Sequence, residues 1–196
     1  MDLLLAAAGH LGRVNATLLT IGRWLGGACL GVMVIVILVQ VLFRYGLGNA
    51  LPWTEEFSRF LMLWMTGLMA PTAFRRGGFV SIELVVSVLP RLPAAILNLV
   101  LLLISAVVLW WGLRIGWNEV TGLGGRFTMP SLSIPVSLDL AQWMKVPRSW
   151  MMASLATGVT VMFAVNVELI LRCVASLFGA ASRLLPIPMS TTLGAE

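Results

Sequence analysis

The residues best suited to chemistry in this sequence lie in one short stretch, Trp53-Thr54-Glu55-Glu56-Phe57-Ser58-Arg59. Two adjacent carboxylates beside a guanidinium, at the edge of an apolar run, can serve as a proton site. The same residues also describe a helix start. Acids in a first turn complement the positive end of the helix dipole, and Glu55 stands four residues before Arg59, the spacing of an intrahelical ion pair. The second reading carries more weight, so Trp53, Glu55, Glu56 and Arg59 are expected to anchor a helix or meet a neighbouring subunit.

Other chemistries find less support. A haem-bearing anchor needs axial ligands, usually histidines within the spans, and the sole histidine, His10, lies near the amino terminus. An intramembrane hydrolase needs His, Asp or Glu converging inside the bilayer. The cores of the apolar runs hold no such residue, and their polar groups are Gln40, Thr66, Asn98, Ser105, Ser154, Thr157, Thr160 and Asn166. Cys29 and Cys173 are far apart and form no CxxC pair, which points to apolar filler rather than a metal or redox site. No cofactor, no metal and no enzymatic activity are expected.

These residues must be positioned by helices in lipid. The chain is 59% hydrophobic and only 11% charged, with a mean hydropathy of +0.97, a charge deficit too large for a water-facing surface. Its net charge of +5 does not suggest nucleic acid, because the basic residues are scattered in ones and twos at the ends of apolar runs. Uncharged runs extend from Trp24 to Phe43, Phe60 to Phe74, Leu92 to Leu113 and Ser149 to Val167. The second is short, and its helix must begin upstream near Pro52, a residue suited to a first turn. About twenty residues at about 1.5 Å each cross a bilayer core. The expected fold is therefore an all-α membrane protein with four transmembrane helices, about 22–45, 53–74, 92–117 and 149–172. The segment before the first run is too polar to begin a cleaved signal peptide, so that run is expected to be retained as a helix.

Residues 79–89 are apolar but too few to cross. Glu83 and Ser87 would share one face, which predicts a short interfacial amphipathic helix, entered through Gly77 and Gly78 and ended by Pro90. Residues 121–147, rich in proline and glycine, are expected to form a loop, with room for one helical turn at 138–143. No internal repeat is visible, which weighs against a self-contained transporter built from duplicated halves. Gln40, Asn98 and Asn166 suit hydrogen bonds between helices, and the pairs Gly22/Gly26 and Gly27/Gly31 suit close helix approach. Basic residues are nearly balanced between the two faces, so charge leaves the orientation open.

The order of these features resembles a known family. Arg44-Tyr45, then Leu51-Pro52-Trp53-Thr54-Glu55-Glu56 with Arg59, then Arg75-Arg76-Gly77-Gly78-Phe79-Val80, and finally Met129-Pro130-Ser131-Leu132-Ser133-Ile134-Pro135 resemble the small membrane subunit (DctQ-like) of tripartite ATP-independent periplasmic (TRAP) transporters. The departures are Phe79, where the family often has histidine, and extra length at 136–147. The resemblance implies a multi-pass protein of the bacterial inner membrane with both termini cytoplasmic. It implies two protein partners, a large membrane subunit (DctM-like) carrying the substrate and sodium sites, and a periplasmic binding protein (DctP-like) delivering an organic acid. The small subunit would enlarge the fixed scaffold, with membrane lipids around it. Arg44, Arg75, Arg76, Gly77, Gly78, Pro130, Ile134 and Pro135 would join the acidic cluster as anchor or interface residues. The residues alone leave two alternatives, a membrane enzyme or redox anchor using the Glu55, Glu56 and Arg59 cluster, and a small autonomous exporter.

Overall fold

The computed structural model describes residues 2–49, 51–76, 90–135 and 143–177, and the side chains of 2–5, 91, 92, 134, 135 and 143 are left aside. The described chain is mostly helical. It runs α1 (Asp2–Gly46), α2 (Pro52–Arg75), α3 (Arg91–Thr121), the single turn α4 (Leu123–Arg126), β1 (Thr128–Pro135), β2 (Trp143–Pro147) and α5 (Ser149–Leu177). Three helices are long and apolar enough to cross a membrane, namely Ala6–Gly46, Pro93–Thr121 and Ser149–Leu177. Helix α2 is not among them, because Glu55, Glu56 and Arg59 at its head and Arg75 at its end lower its hydropathy. The interfacial helix expected at 79–89, with Gly77 and Gly78, falls outside the described residues.

Helix α1 is longer than the expected first span. At 45 residues it measures about 68 Å, more than twice the roughly 30 Å hydrocarbon core. Its amino-terminal half stays helical because it has a face to bury. Ala8, Gly12, Asn15, Leu19, Gly22 and Gly26 are buried at alternating spacings of four and three while the residues between them are mostly exposed. That is the seam of a helix packed along its length. Gly48, in the left-handed region at φ 66°, ends α1, and the Leu47 and Asn49 amides both donate to the Phe43 carbonyl. Pro52 then opens α2.

Helix α5 is central and touches the other three long helices, and α2 lies between α1 and α5. Close approach depends on small residues, since lipid gives apolar side chains no reason to associate. At the α2–α5 crossing a Cβ on Gly158 would lie 2.6 Å from the Gly67 carbonyl oxygen, and one on Gly67 would overlap the Ser154 carbonyl. On α1 it is Gly22 and Gly26 that face α2, at Leu68 and Met69, whereas Gly27 and Gly31 face open space. Asn166 donates to the Leu102 carbonyl at 3.1 Å, and the Asn98 amide lies 4.0 Å from the Cys173 sulfur, so two of the three intramembrane amides bridge α3 and α5.

The connection from α3 to α5, expected as a loop, contains ordered structure. Strands β1 and β2 pair antiparallel, with Ser133 opposite Lys145 and Pro135 opposite Trp143, and an irregularity interrupts the ladder between Thr128 and Ser133. Pro130 and Pro135 are tolerated because a two-stranded ribbon consists of edges. Trp143, assigned in the sequence to a helical turn, is in a strand, and 138–142 lie outside the described residues. Met129 and Val146 are almost fully buried, so the ribbon is packed down rather than loose.

Candidate functional site

The most concentrated chemistry in the fold is a buried ionic cluster that joins three helices. Glu168 of α5 has no solvent exposure. Its Oε1 accepts from Arg75 Nη2 at 2.6 Å and from Arg172 Nε at 2.9 Å. Its Oε2 accepts from Arg75 Nε at 3.1 Å and from Asn15 Nδ2 at 2.8 Å. Asn15 also donates to the Ala164 carbonyl, and Arg75 Nη2 to the Gly12 carbonyl at 3.0 Å. Local sequence explains each position. Asn15 and Gly12 belong to the buried seam of α1, Arg75 is in the last turn of α2, and Glu168 and Arg172 are one helical turn apart on α5.

A carboxylate has about four acceptor positions, and all four are used here. Such a group is a poor exchange site for a proton or cation, because any incoming ligand must first displace a fork-shaped guanidinium bond. It is well suited to fix α1, α2 and α5 in one register. Glycine at position 12 leaves room for the cluster, since a Cβ there would sit 2.9 Å from Arg172 Nη2 and 3.0 Å from Glu168 Oε1 and would press on those side-chain ends.

The acidic stretch at the other end of α2 separates into two roles. Glu55 and Arg59 form an exposed ion pair at 3.3 Å. Glu56 instead accepts a hydrogen bond from the Ser131 backbone N–H at 2.8 Å, which ties the head of α2 to β1. Thr54 is fully buried, with its hydroxyl donating to the Leu51 carbonyl. Trp53, Phe57, Phe60 and Trp64 follow one another along α2 with ring centroids 6.3–6.5 Å apart, and Trp64 Nε1 donates to the Trp150 carbonyl.

The remaining expected residues are dispersed. Arg44 stands near the end of α1 with its guanidinium 5.9 Å from the Tyr45 ring centroid. Arg76 follows α2, with its amide donating to the Thr72 carbonyl. Pro130, Ile134 and Pro135 lie in β1. The structure therefore brings Glu56 together with the strand that holds Pro130, Ile134 and Pro135, and brings Arg75 to Glu168, while Arg44 stands apart. Sequence reasoning missed Glu168, Arg172 and Asn15 as site residues. The available signal was an acid following a long apolar run with an arginine four residues on, since buried charges in such segments are nearly always paired.

Residues 33–176 match the family described as tripartite ATP-independent periplasmic transporters, DctQ component. A protein of Haemophilus influenzae named as a TRAP transporter small permease protein is 37% identical over 71 residues, which is 36% of this chain and 44% of the relative. The isethionate TRAP transporter permease protein DctMQ of Oleidesulfovibrio alaskensis is 27% identical over 125 residues, covering 55% of this chain and 20% of the relative. The matched stretches thus span less than half the length of these two relatives. No solved structure matches the chain.

Proposed function

This chain belongs to the DctQ component family of the tripartite ATP-independent periplasmic transporters, and from that premise we propose that it is the accessory scaffold subunit of a binding-protein-dependent, sodium-coupled importer of an organic acid. Its large membrane partner carries the substrate and ion sites, and a periplasmic binding protein delivers the substrate. The observation that carries the scaffold role is the saturated Glu168 cluster. The one fully buried carboxylate among the described residues is committed to holding helices together, which supports a fixed frame rather than a moving carrier. The second relative's name joins M with Q, and the match covers a fifth of its length, which favours association with a larger permease.

In this reading α2 is the fourth crossing. It lies beside α5, with Trp64 at its middle bonded to Trp150 at the start of α5 and Arg75 in its last turn bonded to Glu168, so it runs in the same direction as a helix long enough to span. Both termini are then cytoplasmic, the Arg75 end of α2 faces the cytoplasm and the ribbon faces the periplasm. The outer faces of α1 and α3, including Leu38, Leu42, Val108 and Trp111, are exposed in the isolated chain and meet lipid or the large subunit. Glu55, Glu56 and Arg59 anchor the periplasmic boundary.

Co-purification from the native membrane tests this reading. A large multi-pass membrane protein should be recovered with the chain in a fixed ratio. Recovery of the chain alone, under detergent conditions that preserve other inner-membrane complexes, overturns it.

A further inference from the structure

We infer that the cleft between α1 and the end of α2 is a binding site for the phosphate of an anionic phospholipid headgroup. A cavity of about 190 Å³ opens there, lined by Ala16, Leu19, Thr20, Arg23, Thr72, Arg75 and Arg76. It is several times the volume of one water, about 30 Å³. Three of its lining residues are arginines, the side chain best matched to a phosphate because its planar fork offers paired donors.

Charge is unbalanced at this end of the bundle. Arg75 and Arg172 share Glu168, while Arg23 and Arg76 have no ion-pair partner among the described residues. The other carboxylates with described side chains, Glu55, Glu56 and Glu119, lie toward the opposite ends of α2 and α3. Thr72 also lines the cavity, with its hydroxyl buried behind the surface. An anion there supplies the missing charge.

The level of the cleft identifies the source of that anion. Arg23 immediately precedes the uncharged run Trp24–Phe43, so the cavity lies where the apolar part of α1 begins. That is headgroup depth, and basic pockets between membrane helices on the cytoplasmic side are suited to anionic lipid headgroups. Leu19 and Ala16 give the cavity an apolar wall beside its basic ones, matching a glycerophosphate better than a free ion. The inference rests on the membrane location of the chain and on the cytoplasmic orientation proposed above, and not on the transported substrate.

Native mass spectrometry of the full chain, delipidated and then supplied with phosphatidylglycerol, phosphatidylcholine or inorganic phosphate, tests the site. The wild type should retain one phosphatidylglycerol and hold phosphatidylcholine more weakly, and inorganic phosphate should not displace the lipid. At about a factor of five for each arginine removed, Arg23→Gln with Arg76→Gln should weaken retention roughly twenty-five-fold. Arg13→Gln, the same loss of charge on an exposed position of α1, should leave it unchanged. Should the double variant not accumulate, Arg76→Gln alone tests the same site, with retention expected to be about fivefold weaker. Undiminished phosphatidylglycerol retention in the arginine variants overturns the site. Displacement by inorganic phosphate assigns it to a soluble anion and overturns the lipid reading. Loss of a co-purifying protein with lipid retained shows an acidic protein partner instead.

Discussion

The guanidinium of Arg75 closes on the carboxylate of Glu168 through two hydrogen bonds, of 2.6 and 3.1 Å, joining residues 93 positions apart in the chain. Each partner is almost wholly buried, with side-chain exposures of 11% and 0%. A buried pair of this kind adds little net stability relative to apolar packing, yet it is severe to break from one side. It therefore acts as a constraint on how α1, α2 and α5 fit together.

Glu168→Ala removes the buried carboxylate that Arg75 and Arg172 share. Removal of one member of a buried pair costs about 3–5 kcal/mol. Thermal unfolding of the purified protein in detergent should show a large fall, and Arg75→Met combined with Glu168→Met should recover much of it. Equal losses in the single and double variants would mean that the pair is not coupled.

The α2–α5 crossing should not accept a side chain. Gly158→Val places a Cβ against the Gly67 carbonyl, backbone against backbone, where no rotamer change gives relief. We expect the variant to lose its compact state in size-exclusion chromatography or to fall to a small fraction of wild-type accumulation. Normal accumulation and an unchanged elution profile would show that the two helices do not approach this closely.

On α1 the two glycine pairs should behave differently. Gly22→Val meets the Leu68 carbonyl and Gly26→Val meets Met69, whereas Gly27→Val and Gly31→Val enter open space. A scan of unfolding temperatures should find the first two lowered and the last two near wild type. The reverse order would place the other face of α1 against α2.

Glu56 and Glu55 are adjacent but differ in what they hold. Glu56→Ala removes the acceptor of the Ser131 amide, and a hydrogen bond to a charged group contributes about 1.5–3 kcal/mol. Hydrogen exchange at Ser131 should accelerate at least about tenfold. Glu55→Ala, which loses an exposed pair with Arg59, should leave that exchange rate unchanged.

The helices were legible because their signal is local. Charged residues bracket the apolar runs, and Pro52 marks the start of α2. The amino-terminal half of α1 was obscured because His10, Arg13 and Arg23 make it look like a polar tail. Its seam from Ala8 to Gly26 is recognisable once burial is sought at alternating four and three spacing. Glu168 was hidden for a different reason. Charges in a membrane protein are first taken as flanks of spans, and nothing local to Glu168 points to Arg75 or Asn15, which reach it only through tertiary packing. Prolines at 130 and 135 concealed the ribbon, since strand patterns are usually rejected on proline.

The most direct test of the accessory-subunit account is radiolabelled organic-acid uptake into proteoliposomes under a sodium gradient, with the binding protein supplied outside. The chain alone should give no uptake above empty liposomes, and the chain together with its large membrane partner should give gradient-dependent uptake. Gradient-dependent uptake by the chain alone would contradict the account.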